Sequence, residues 1–263
     1  MATQNSRWTR EELLVAFNLY CQMPFGKMHA RNPDIVRVAG ALGRTPSSVA
    51  MKLVNFASLD PSITSTGRTG LGNASRADKS IWDEFNSDWE ALAIESQTYL
   101  KTLVSKSAVA PPMPSKQFDD LDEADYEGQT KSVQIQARIK QSFFRKAVLS
   151  SYGGRCCITR ISEPRLLVAS HIVPWKSDPK TRLNPRNGLC LSALHDKAFD
   201  RGLIVITDDF RVHVSPTLSH FEKEPFIRDT LIAIHGQSIT LPEKFRPEVA
   251  FLRRHREMWQ DSR

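Results

Sequence analysis

Cysteine is scarce in this chain of 263 residues, with four in all, at Cys21, Cys156, Cys157 and Cys190. So few, so irregularly spaced, exclude the disulfide framework of a small secreted scaffold. No pair of CxxC motifs is present, which argues against a zinc ribbon and leaves buried, reduced thiols. Long apolar runs are also missing: none reaches the roughly 20 residues that span a bilayer. The opening MATQNSRWTREE lacks the apolar stretch of a secretory leader. The expectation is a soluble, cytoplasmic protein with no membrane partner.

Charge of one sign is unevenly spread, with basic residues concentrated toward the C-terminal end. The formal net charge of +7 divides into 11 basic against 10 acidic residues over 1–104, 2 against 6 over 105–128, and 23 against 13 over 129–263. The basic excess of the last segment suits a polyanionic partner, because Lys and Arg release counterions condensed on phosphate. It equally suits a plain basic surface. The chain exceeds the common single-domain size, and SAVAPPMPSK followed by DDLDEADYE reads as a linker. Two domains are expected, a helical one at 1–104 and a second at 129–263, joined by an acidic, Pro-containing linker at 105–128.

The first 60 residues are patterned for helices. Thr9 and Glu12 form a capping-box signature, and Leu13, Leu14, Phe17 and Tyr20 follow at helical spacing on one face. Asn32-Pro33-Asp34 starts a second helix, carrying Ile35, Val38, Ala39 and Leu42, which Gly43 ends. Thr45-Pro46 starts a third, with Val49, Leu53 and Phe56 as its apolar stripe. The second and third helices have the spacing of a helix-turn-helix, and RWTREE resembles a Myb/SANT-like first helix. That resemblance implies a DNA-binding face with Ser47, Ser48, Lys52 and Asn55 toward a groove and Arg44 toward phosphate. A small bundle with a solvated polar face fits the same pattern. Residues 57–79, with Arg68 and Arg76 among Gly, Ser and Thr, read as a long surface loop, either a DNA-contacting wing or disorder. Ser80 is expected to cap a further helix with Ile81, Trp82, Phe85, Trp89 and Leu92 in the core.

Beyond Gln129 a helix through Ile139, Phe143, Phe144, Val148 and Leu149 leads to Gly153-Gly154. The apolar run Leu166 to Ala169 then delivers Ser170-His171 at a strand end, followed by Pro174 and Trp175. A loop holding Lys176, Lys180, Arg182 and Arg186 reaches Asn187-Gly188. GLCLSALHDKAFDRG places His195 on a helix, and GLIVITDDFRVHVS reads as a hairpin turning at Asp208-Asp209. A closing helix in PEKFRPEVAFLRRHREMWQ packs Val249, Leu252 and Trp259 and offers Arg253, Arg254 and Arg256 to solvent or DNA.

The order His171, Asn187, His195, inside SHIVPW, NGLCL and HDKAFDRG, resembles the HNH (ββα-metal) endonucleases, particularly predicted bacterial restriction endonucleases, over most of residues 129–215. The resemblance implies an α+β chain, a helical N-terminal domain with a helix-turn-helix-like segment before a ββα-metal nuclease domain. It implies that His171 is the general base, that Asn187 holds the His171 loop, and that His195 ligates one divalent metal ion, Mg²⁺ in the first place and Mn²⁺ in the second. The residue before the base is often an Asp or His ligand in such enzymes, and here it is Ser170, a poor ligand for a hard cation. Asp200 is the favoured replacement, with Asp196 the other, while a cap or an ion pair with Arg201 is an equal use of Asp200. Lys176, Lys180, Arg182 and Arg186 are placed to contact phosphates of duplex DNA, and Trp175 either stacks near a nucleotide or packs in the core.

The reading is a metal-dependent DNA endonuclease in restriction or defence, with a homodimer needed for a two-fold symmetric cut. Two other functions share the pattern: a DNA-binding protein with an impaired nuclease centre, and a nuclease whose N-terminal domain senses a protein or signalling molecule.

Overall fold

The computed structural model describes residues 7–67, 72, 74–106 and 131–259, with the backbone alone at 104–106 and 131–134. In chain order, α1 (Arg10–Gln22), α2 (Pro33–Leu42), α3 (Pro46–Ala57), α4 (Pro61–Thr64), α5 (Arg76–Ser87) and α6 (Trp89–Lys106) form a helical half. Helix α7 (Lys131–Ser151) leads into β1 (Leu167–His171), β2 (Gly188–Ser192), α8 (Ala193–Asp200), β3 (Ile204–Ile206), β4 (Val212–Val214), α9 (Pro225–Ile227), a π-helical turn (Arg228–Ile232) and α10 (Val249–Glu257). The described residues are therefore α+β, helices with two small antiparallel sheets. The linker expected at 105–128 lies outside the described residues beyond the end of α6. Among the described residues no helix is long and apolar enough to cross a membrane.

The cap residues read from the sequence are in place. Thr9 and Glu12 exchange hydrogen bonds at the start of α1, Asn32 and Thr45 cap α2 and α3, and Gly43 ends α2 with φ of 65°. A left-handed residue there satisfies the last carbonyls, which glycine does without steric cost. One apolar face was expected of α1, yet Val15, Ala16, Asn18 and Cys21 are buried as well. Helices α3, α5, α6 and α7 pack around it, so it is a central helix and not a surface one. The stretch expected as a loop to residue 79 contains α4, and α5 begins at Arg76, ahead of the expected cap at Ser80. Ser75 and Asp78 form a capping box that starts the helix there.

Helix α7 joins the halves: it packs on α1 and α6 and also on β1 and β2. In β1 and β2 the register sets His171 opposite Gly188. A Cβ on Gly188 would stand 2.3 Å from Val148 Cγ2 and 3.0 Å from Phe144 Cζ, so α7 sits directly on backbone at this point. A second tie comes from far along the chain. Lys244 is fully buried, and its ammonium donates to the carbonyls of Tyr20, Cys21 and Met23 at the end of α1. A cation there answers both the orphan carbonyls and the negative end of the helix dipole. Its neighbour Phe245 donates its N–H to buried Asp60, which also accepts from the Tyr20 hydroxyl. Buried residues of both halves form one contiguous core.

Two substitutions test this joint. Gly188→Ala should cost about 1–3 kcal/mol, because a methyl group is forced into packed α7 side chains. Lys244→Met should cost at least about 2 kcal/mol, because buried carbonyls lose their donor. Urea unfolding followed by tryptophan fluorescence checks both, and midpoints within error of wild type would contradict the packing described.

Candidate active site

Strand β1 ends at His171, and the loop from 172 to 187 returns the chain to β2. Asn187 fixes that loop. Fully buried, its Oδ1 accepts from Val173 N–H at 2.8 Å, and its Nδ2 donates to the carbonyls of Val173 at 3.1 Å and Thr181 at 3.4 Å. Removing the amide would strand buried backbone groups. His171 Nε2 lies 2.9 Å from the Arg182 carbonyl. A carbonyl can only accept, so Nε2 carries the proton and Nδ1 keeps its lone pair. The ring lies flat on Phe144, centroids 3.8 Å apart, with Trp175 edge-on at 5.4 Å. Burial lowers the imidazole to about 4, opposed by the Arg182 carbonyl, so the ring is neutral and able to accept a proton at pH 7.

His171 opens onto a cavity of about 360 Å³ whose wall includes Ser170, Trp175, Asp196, Asp200, His255, Met258 and Trp259. Asp196 and Asp200 are one helical turn apart on α8, the i, i+4 spacing that puts both on one face. His195, Ala198 and Phe199 occupy the buried face of the same helix. Burial raises the Asp200 carboxyl, against the lowering influence of Lys197 and Arg201.

The structure does not bring His195 to this cavity. Its Nδ1 lies 2.7 Å from Ser192 Oγ and its Nε2 3.1 Å from the Thr230 carbonyl, so both ring nitrogens are engaged between the start of α8 and the π-helical turn. The reason is periodicity: a residue five positions from Asp200 is turned away from it, whereas Asp196 is not. Among the described residues no three His, Cys, Asp or Glu side chains stand close enough to hold a metal ion alone. Asp196 and Asp200 nonetheless offer the donor type for a hard cation, which is commonly held by one or two carboxylates with water and substrate phosphate completing the shell.

The residues expected at the DNA divide sharply. Lys176 and Lys180 are exposed on the loop beside the cavity. Arg182 is paired with Glu90 at 2.9 Å and lies over Trp175, and Arg186 is 3.8 Å from Glu248. On α3, Ser47 is exposed and Ser48 half-buried, but Lys52 is buried against Asp78 at 2.9 Å and Asn55 is buried too. The polar face expected of Lys52 and Asn55 is therefore interior, because α5 folds back over α3 and brings Asp78 with it. Arg44 is tied to Glu12 and stacks over Trp8. Arg76 is exposed at the start of α5, and Arg68 lies outside the described residues. In the C-terminal helix, Arg253 and Arg256 pair with Asp208 and Arg254 with Asp178. All four cysteines are buried and free. The sequence reading missed His255, whose place on the cavity wall has no local signal.

A two-stranded hairpin followed directly by a helix, with a histidine at the first strand's end and a buried Asn holding the loop between strands, is the framework of a ββα nuclease domain. Residues 156–207 match the family model described as HNH endonuclease, and this segment of the chain is a domain of the HNH family. No curated protein matches the chain. An HNH domain implies nuclease chemistry with DNA as its substrate.

The buried imidazoles make stability depend on pH. His171 and His255 are both lowered by burial to about 4 from an ordinary 6.5. Between those values the unfolded chain binds more protons, so stability rises with pH through the window and is lost as pH falls from 6.5 toward 4. Each ring contributes on the order of 1 kcal/mol per pH unit there. Urea midpoints at pH 7 and pH 5 should differ accordingly, with a smaller difference in His171→Asn. Equal midpoints in wild type would show that the rings are not held neutral.

Proposed function

We propose that the chain is a divalent-metal-dependent endonuclease that hydrolyses DNA phosphodiester bonds at the cavity bordered by His171, Asp196 and Asp200. The observation that carries this reading is that one proton-accepting ring and a carboxylate pair line the wall of a single pocket. The His171 tautomer leaves Nδ1 to take a proton, Asn187 keeps the loop behind it from shifting, and Phe144 fixes the ring plane. Water attacks phosphorus and yields its proton to Nδ1 of His171. The bond to the 3′ oxygen breaks, that oxygen is protonated from solvent, and the products are a 5′ phosphate and a 3′ hydroxyl. A divalent cation held by Asp196 and Asp200 supplies Lewis-acid stabilisation of the phosphorane and the leaving oxygen when bound. Lys176 and Lys180 position the duplex by its phosphates. The likeness to restriction nucleases supports a role in restriction or defence, with the helical half contributing target choice.

A second reading has its own observation. Lys52 and Asn55 are interior, so the helical half does not offer the base-reading face expected of α3, which favours a half that scaffolds the nuclease or senses another partner.

Plasmid nicking in Mg²⁺, Mn²⁺ or EDTA tests the activity. His171→Ala should lower the cleavage rate by roughly 10²–10⁴-fold, the usual worth of a general base, with metal affinity unchanged. Near-normal cutting by the folded variant would remove His171 from the mechanism. For DNA binding, Lys176→Ala and Lys180→Ala should each reduce the slope of log K against log salt by about one. Unchanged slopes would place the duplex elsewhere.

A further inference from the structure

The cavity offers an anion no cation of its own. Among the described residues its wall includes two carboxylates and two imidazoles but no Lys or Arg. A polyanion that reaches it has to be matched from the rim, where contacts to phosphate set register and orientation. The arginines of the His171 loop and of α10 are already committed: Arg182 to Glu90, Arg186 to Glu248, Arg253 and Arg256 to Asp208, Arg254 to Asp178. Lys197 and Arg201 are not. Both are exposed, and among the described residues neither forms an ion pair, that of Arg201 with its neighbour Asp200 included.

Helix geometry sets these two cations beside the cavity. Counted around α8 from Asp196 at about 100° per residue, Asp200 stands at about 40°, Lys197 at about 100° and the C-cap Arg201 at about 140°. Buried His195 and Phe199 lie the other way, at about −100° and −60°. The carboxylates that line the cavity therefore separate the buried face of α8 from a cationic stripe. Lys197 and Arg201 both act on the Asp200 carboxyl, lowering it against its burial, so both charges are close to the cavity wall. Gly202, the residue after Arg201, lies under Trp259 of that wall: a Cβ there would stand 2.5 Å from the indole ring. The backbone at Arg201 is thus held at the cavity's edge.

We propose that Lys197 and Arg201 form a second phosphate-binding rim, holding the DNA backbone on the α8 side of the cavity as Lys176 and Lys180 hold it on the loop side. They are positioning residues. Neither lines the cavity, so they bind ground state and transition state alike and set KM rather than kcat. Cations near the end of a helix also answer its dipole, but a role confined to that would change stability and leave DNA binding alone. The inference rests on the nuclease reading for where the duplex lies, while its test reads binding without cleavage.

The experiment titrates the full chain with a labelled DNA duplex in EDTA at several salt concentrations. Lys197→Ala and Arg201→Ala should each lower the slope of log K against log salt by about one, and the double variant by about two. Lys197→Arg and Arg201→Lys, which keep the charge, should keep the wild-type slope. In Mg²⁺ or Mn²⁺ the alanine variants should raise KM for plasmid nicking, with kcat changed far less. Unchanged slopes in the folded alanine variants, or a lowered urea midpoint with binding intact, overturn the proposal and leave the nuclease reading standing. An equal loss in Lys27→Ala, an exposed cation of the helical half, would show a diffuse field and overturn it too. Lowered slopes in a protein whose wild type nicks no plasmid would uphold the rim and sink the nuclease reading. Should an alanine variant not fold, acetylation of Lys197 in the wild-type protein replaces it. Bound duplex should slow that modification, and equal rates with and without duplex contradict the proposal.

Discussion

Everything about the site depends on α7 lying against bare backbone at Gly188. Because nothing but hydrogen stands on that Cα, Val148 and Phe144 reach the β1–β2 hairpin, and Phe144 becomes the floor under the His171 ring. The same helix rests on α1 and α6 along its other side. A shift of α7 would therefore disturb the ring's plane and the helical half together. The Lys244 clasp on the end of α1 closes the arrangement from the opposite end of the sequence. A helical half wedged this tightly fixes the nuclease framework directly.

Within that frame, the pocket separates tasks by environment. His171 is largely buried, stacked and neutral, with its one proton committed to a backbone carbonyl, so its other ring nitrogen keeps a lone pair. Asp200 lies in reach of solvent near Lys197 and Arg201, which offset the partial desolvation that raises its carboxyl. The loop between strands brings Lys176 and Lys180 to the rim, where they are exposed and suited to phosphate. Basic residues deeper in the loop are occupied by Glu90 and Glu248.

Much of this was legible in the sequence, for local reasons. Caps at Thr9, Asn32 and Thr45, the glycine at 43, and the order of strand, loop and helix around His171, Asn187 and His195 depend on neighbours a few residues away. What sequence spacing left hidden was set by distant contacts. Lys52 and Asn55 read as a polar face until α5 covers them, and only the pairing with Asp78 explains a buried lysine. Asp196 and Asp200 were read as alternatives and share one helical face, while the turn of His195 toward Ser192 and Thr230 depends on a π-helical turn that no local signal announces. Lys244 and His255 act on partners far away in the chain, and nothing beside them in the sequence marks either.

The most direct test of the central claim is the position of a cation in crystals of the full chain with a DNA duplex and Mn²⁺. The account predicts an anomalous peak within roughly 2.0–2.6 Å of carboxylate oxygens of both Asp196 and Asp200, on the side of the pocket facing His171. A peak bound by His195 instead, with Asp196 turned away, would contradict it.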